Sequence, residues 1–149
     1  MDNPLGTTTV TQVAIVVRDI EAKARAWARI LSLPMPAIVV TDPVELAHTE
    51  YRGQPSPARA KLAFFQLGQV SLELIEPIGG PSTWQEHLDA HGESLHHIAF
   101  QIQGMQDKLA YLDANGIPLV QRGEFKGGRY AYVDGMQALS VVLELLEDD

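Results

Sequence analysis

The 149-residue chain contains no cysteine. That excludes a disulfide framework, a thiolate metal site and a cysteine nucleophile, and it fits a reducing cytoplasm. Cations are scarce as well: 11 Lys and Arg stand against 19 Asp and Glu, a formal net charge of −8. Such a balance argues against a nucleic-acid backbone as partner. No apolar run approaches the roughly 20 residues that span a bilayer, so no membrane is expected either. Met1-Asp2-Asn3-Pro4 does not begin like a secretory leader. What is present, 46% apolar and 20% charged residues, is the make-up of one soluble globular domain. Its chemistry has to come from His, Glu, Asp, Gln, Lys, Arg and Tyr.

Two pairs of segments repeat. Gln12-Val-Ala-Ile-Val-Val-Arg-Asp-Ile20 leads into the apolar-periodic run Glu21 to Leu31. His97-Ile-Ala-Phe-Gln-Ile-Gln-Gly-Met105 leads into Gln106 to Asn115 in the same way. Val70-Ser-Leu-Glu-Leu-Ile-Glu76 and Val141-Val-Leu-Glu-Leu-Leu-Glu147 share five of seven positions. The offset is 85 residues at the first pair and 71 at the second, so the first half carries fourteen extra residues. Each half reads as strand, helix and further strands, an ordered duplication.

Local signals agree with this layout. Asp19 is an N-cap for a helix whose apolar side holds Ile20, Ala24, Trp27, Ile30 and Leu31, ended by Pro34. Met105, Leu109 and Leu112 form the stripe of its counterpart, with Gly116 as the stop. Ala60–Leu67 and Val70–Glu76 read as a hairpin turning at Gly68-Gln69. Tyr130–Val133 and Ser140–Leu146 read as its equivalent, turning at Asp134-Gly135. Between the halves, Ser82 to Gly92 has capping-box spacing and reads as a short bridging helix. Thr41 to Ala60 is a long connection of the kind that often carries function.

Side chains alternate along a strand, so each strand's polar face is legible. Val13, Ile15 and Val17 take the helix side of the first strand, and Ile98, Phe100 and Ile102 that of its repeat. Gln12 and His97 fall on the other face. Glu73 and Glu144, each flanked by leucines, take that same face in the two late strands. A mid-strand carboxylate among leucines is costly to bury without a partner. Singly, these residues read as solvated faces of edge strands and a satisfied core histidine. As an equivalent set about a pseudo-twofold axis, one imidazole and three oxygen donors suit a divalent ion with positions left for substrate.

At these residues the chain resembles the vicinal oxygen chelate superfamily, which includes glyoxalase I (lactoylglutathione lyase), methylmalonyl-CoA epimerase, extradiol dioxygenases and bleomycin-resistance proteins. The resemblance rests on Gln12 to Ile20, Leu72-Glu-Leu-Ile-Glu-Pro-Ile78, Leu95-His-His-Ile-Ala-Phe100 and Val142-Leu-Glu-Leu145. It implies an α+β fold of paired βαβββ modules forming a cupped mixed sheet around a cleft. The modules would span about 8–79 and 94–147, bridged by helix 82–91, within one domain. It also implies one divalent metal (Co, Ni, Zn or Mn) on Gln12, Glu73, His97 and Glu144, with Glu144 and Glu73 shuttling protons. His97 is the matching histidine, and His96 is expected on the opposite side of its strand.

The implied chemistry is metal-dependent isomerase, epimerase or lyase activity. The ion holds two neighbouring substrate oxygens and stabilises the enolate left when a carbon acid loses its proton. The wording around the ligands ranks methylmalonyl-CoA epimerase first. Glyoxalase I ranks second, because its glutathione-gripping Arg is replaced by Val16 and an Asn by Pro77. A non-catalytic binder of the bleomycin-resistance type is the third reading. A small-molecule substrate, an acyl-CoA or a glutathione adduct, and a homodimer follow from the same resemblance. Arg52, Lys126 and Arg129 are the candidates for binding an anionic substrate, and Lys126-Gly-Gly-Arg129 resembles a substrate-side loop of the superfamily. Tyr51, Tyr130 and Tyr132 are candidate pocket walls, and the Glu147-Asp-Asp149 tail is expected to be solvated.

Overall fold

A computed structural model describes residues 3–149. The chain runs β1 (Gln12–Val16), α1 (Ile20–Leu31), β2 (Val39–Val40), α2 (Val44–Ala47), β3 (Glu50–Tyr51), β4 (Gln54–Pro55), β5 (Arg59–Leu67) and β6 (Val70–Ile78). It continues through α3 (Thr83–His91), β7 (Ser94–Gln101), α4 (Met105–Ala114), β8 (Leu119–Phe125), β9 (Gly128–Val133), α5 (Met136–Leu139) and β10 (Val142–Asp148). Among the described residues no helix is long and apolar enough to cross a membrane.

All ten strands form one curled mixed sheet in the order β2-β5-β6-β1-β7-β10-β9-β8-β3-β4. The run from β2 to β8 in that order is the same four-strand pattern twice, meeting at the antiparallel β1–β7 pair, with β3 and β4 added beyond β8. β1 lies parallel to β6 in one half, and β7 lies parallel to β10 in the other. The register carries the duplication to single residues. Ala14 pairs with Glu73, and Ala99, 85 residues on, pairs with Glu144, 71 residues on.

The faces divide as the alternation requires. Val17, Leu72 and Leu74 pack under α1 with Ile20, Ala24 and Ala28. Ile102, Leu143 and Leu145 pack under α4 with Met105 and Leu112. The concave face carries Ala14, Val16, Ile75, Trp84, Tyr132 and Val142. Within α1 one expectation fails: Ile30 is 77% exposed and Ala28 is buried instead. At 100° per residue Ile30 lies on the flank turned away from Ala24 and Ala28. The helix also ends earlier than Pro34, at a left-handed Ser32.

Glu76 and Glu147, the last residues of the repeated late segment, do the same work in both halves. Glu76 accepts from the Ile20 amide at the start of α1 (3.0 Å), and Glu147 accepts from the Gly104 amide at the start of α4 (2.5 Å). Lys61 pairs with Glu76 and Arg129 with Glu147. The tail is therefore not a solvated end: Glu147 holds a helix N-terminus, where an anion is favoured. The Lys126–Arg129 loop is the β8–β9 hairpin turn, with Gly127 at φ 97°, a conformation that suits glycine.

The long first-half connection decides the shape of the open side. The chain leaves β2 at one edge of the sheet and places β3 against β8 at the other, pairing Glu50 with Arg122 and Tyr51 with Gln121. To do so it crosses the mouth of the curl, and Thr41, Asp42, Ala47 and Thr49 become cavity wall.

Candidate functional site

The β1–β7 pair puts Gln12 opposite Ala99 and Ala14 opposite His97. With Glu73 beside Ala14 and Glu144 beside Ala99, four polar side chains stand around two methyl groups, and both alanines are fully buried. The four are brought to one point. His97 Nε2 lies 3.1 Å from Gln12 Oε1, 3.3 Å from Glu144 Oε1 and 3.6 Å from Glu73 Oε1. His97 is completely buried, and Glu73 and Glu144 are only 6% and 5% exposed.

This cluster has more acceptors than protons. One imidazole nitrogen donates to one oxygen at most, and Oε1 of both glutamates is left without a hydrogen bond. Burial and the facing Glu144 push the Glu73 carboxyl well above the ordinary carboxylate range. Orphaned buried carboxyl oxygens around an imidazole nitrogen fit a positive centre. Gln12, Glu73, His97 and Glu144 are the four side chains that converge at this point.

His96 does not face the opposite side. Ala14 pairs with His97 but Ile15 with Leu95, so His96 is the extra residue of a β-bulge, which turns neighbouring side chains to one face. Both imidazoles lie against Tyr132, with centroids at 5.2 and 4.9 Å. The two Nδ1 atoms are 2.7 Å apart, and His96 Nε2 is 3.2 Å from Thr83 Oγ1. A His97 that offers its Nε2 lone pair outward carries its proton on Nδ1 and donates it to His96. His96 in turn donates from Nε2 to Thr83. That arrangement needs a neutral His96. Burial, with His97 and His87 nearby, holds its pKa well below the usual histidine value.

Above this floor lies a cavity of about 400 Å³. Leu62, Phe64, Phe125 and Leu146 supply apolar wall, and Trp84, Tyr130 and Tyr132 an aromatic one. Trp84 Nε1 donates to the Tyr132 hydroxyl (3.0 Å), and Gln121 Nε2 to that of Tyr130 (3.1 Å). Burial raises the pKa of both phenols, so they stay protonated. Gly123 lets the Tyr130 ring lie flat against the sheet, where a Cβ would stand 2.6 Å from it.

The cations marked for substrate lie elsewhere. Arg52, on the β3–β4 turn, donates to both carboxylate oxygens of Glu86 at 2.8 Å, and the Tyr51 hydroxyl bonds the same group. Burial would raise Glu86, but Arg52 and Tyr51 hold its pKa below the ordinary value. Arg129 is bound to Glu147 (2.7 Å) and Asp149 (2.5 Å), and Lys126 is exposed on the hairpin turn. None of the three, nor Tyr51, lines the cavity.

Other wall residues carried no clear signal in the sequence. Asp42 and Thr49 belong to the connection marked as functional by its length, but Glu124 and Phe125 sit on β8, which has no distinctive apolar alternation.

Residues 11–133 match the family model described as the Glyoxalase/Bleomycin resistance protein/Dioxygenase superfamily. The chain belongs to that superfamily. It is 34% identical over 92 residues to the uncharacterized protein YqjC of Bacillus subtilis (strain 168), a match covering 60% of this chain and 66% of that one. A hypothetical protein of Bacillus halodurans C-125 superposes with a TM-score of 0.66 at 20% identity, over 95% of this chain and 94% of that one. Methylmalonyl-CoA epimerase of Streptomyces coelicolor, in complex with 2-nitronate-propionyl-CoA, gives 0.63 at 18% identity over 95% and 94%. The Mycobacterium tuberculosis epimerase gives 0.60 at 18% over 94% and 87%. At these identities the structural likenesses establish the glyoxalase-like fold.

Proposed function

We propose that this superfamily member is a divalent-cation-dependent enzyme that moves a proton at a carbon beside a carbonyl, with epimerase-type chemistry ahead of glyoxalase-type. The observation that carries this is the cavity floor, where two orphaned carboxylate oxygens and a glutamine oxygen converge on His97 Nε2. Gln12, Glu73, His97 and Glu144 would hold the cation, which when bound supplies the charge that makes a carbon acid easier to ionise.

The chain's own residues do the rest. Glu73, at the cavity floor beside His97, is one proton carrier. Glu144 faces it across His97 and is the second carrier, so a proton taken by one carboxylate can be returned by the other. His96 and Thr83 keep the His97 ring in one tautomer, and the apolar walls keep bulk water from the reacting carbon. Fold neighbours that are methylmalonyl-CoA epimerases support the epimerase order. Glyoxalase-type handling of a glutathione adduct ranks lower, because Val16 and Pro77 stand where the glyoxalase I pattern has an Arg and an Asn.

The test is metal content of purified, tag-free protein by plasma mass spectrometry, followed by readdition of Co, Ni, Zn and Mn. About one ion per chain is expected, lost in Glu73→Gln and His97→Ala. Deuterium exchange at the α-carbon of acyl-CoA thioesters should then require Glu144. No bound ion under any condition refutes the enzyme reading and leaves a small-molecule binder.

A further inference from the structure

The charge of the cavity wall constrains what enters it. Among the described residues four carboxyl side chains line the chamber, Glu73 and Glu144 at its floor with Asp42 and Glu124 elsewhere in the lining, and no lysine, arginine or histidine does. The cations nearest in sequence are committed to other groups. Arg59 Nε donates to the Thr41 carbonyl (2.8 Å), Lys61 pairs with Glu76 (3.3 Å), and Arg129 is held by Glu147 and Asp149. Lys126 follows Phe125 but is exposed on its turn. Glu124 is bound by His48, which itself lies outside the lining, and Asp42 makes no ion pair or side-chain hydrogen bond among the described residues.

A cation on the floor offsets the two floor glutamates and leaves the other acids in place. An anionic group entering the chamber would lose hydration, pass like charge and meet no cationic side chain in the wall. The rings of Phe64, Trp84, Phe125, Tyr130 and Tyr132 offer apolar contact, and their faces favour positive over negative charge.

We propose that this cavity takes a ring-bearing or branched apolar carbonyl compound whose enclosed part is uncharged or cationic, and that it rejects a carboxylate or sulfonate there. Only the carbonyl rests on the proposed function; the charge preference stands on the lining alone. It separates this chain's substrate from glutathione adducts and from acyl groups with a second carboxylate.

A matched pair of fluorescent probes tests it: anilinonaphthalene sulfonate and its sulfonate-free parent, N-phenylnaphthylamine, titrated into the full chain with EDTA and again with Co. The neutral probe is expected to bind at least about tenfold more tightly, equivalent to roughly 1.4 kcal/mol. Val40→Trp, at a half-exposed wall position, should weaken neutral-probe binding by about tenfold. Asp42→Asn with Glu124→Gln should narrow the preference, whereas the same change of net charge on α4, Asp107→Asn with Asp113→Asn, should not.

Equal or tighter binding of the sulfonate overturns the proposal. So does neutral-probe binding that is absent or insensitive to Val40→Trp, or a preference that follows net charge wherever it is changed. Metal content of the same samples separates the two readings: probe discrimination without a bound ion sinks only the enzyme, and a bound ion without discrimination sinks only the charge preference.

Discussion

Glu73→Gln should reverse sign with metal. In the cation-free protein, Glu73 is a buried carboxyl with an oxygen that no donor reaches. An unsatisfied buried polar group costs about 1–3 kcal/mol. The amide removes the charge and presents an N–H to the facing carboxylate of Glu144, so the variant should be more stable than the parent by about that amount at pH 8. At roughly 3 °C per kcal/mol for a chain of this size, Tm should rise by about 3–9 °C. The pH dependence has a definite direction. Burial and Glu144 raise the folded-state pKa of Glu73, so above its unfolded value the folded chain keeps a proton that the unfolded chain releases. The parent therefore loses stability as pH rises through that window, and the variant's advantage should shrink toward pH 5. With a divalent ion at about 1,000 times its Kd the parent gains roughly 4.1 kcal/mol, and a variant lacking one ligand gains much less. The parent should then be the more stable. Calorimetry at pH 5 and pH 8, with EDTA and with Co, reads all four states. A variant less stable than the parent in EDTA at pH 8, or an advantage of the same size at both pH values, would refute the reasoning.

Two further changes probe the supports of the site. His96→Phe keeps the ring volume but removes the acceptor for His97 Nδ1; cation affinity by isothermal titration should fall about 10–100-fold while the fold persists, and an unchanged Kd would remove His96 from the site. Glu76→Ala removes the acceptor at the start of α1 and should cost about 1 kcal/mol, or some 2–4 °C in Tm. Glu147→Ala should destabilise in the same direction at α4 and leave cation binding intact; a lost ion in either variant would make these glutamates part of the site.

The repeated segments by themselves fix much of this protein. Period-two alternation put Gln12, Glu73, His97 and Glu144 on one face, and the offsets of 85 and 71 made them equivalents. Both statements hold in the register, where Ala14 meets Glu73 and Ala99 meets Glu144. Such features are legible because alternation and repetition are properties of the chain alone. Three others depend on neighbours distant in sequence. The bulge at His96 exists only where β7 pairs with β1, and it overrides the local alternation that put His96 on the far side. The connection after β2 became cavity wall only because β3 finds its partner in β8, at the other edge of the sheet. Arg52 and Arg129 lost their expected place at the substrate because Glu86 and Glu147 reach them first. A cation's partner, like a strand's edge, is chosen by proximity after folding, and that is where sequence periodicity stops carrying information.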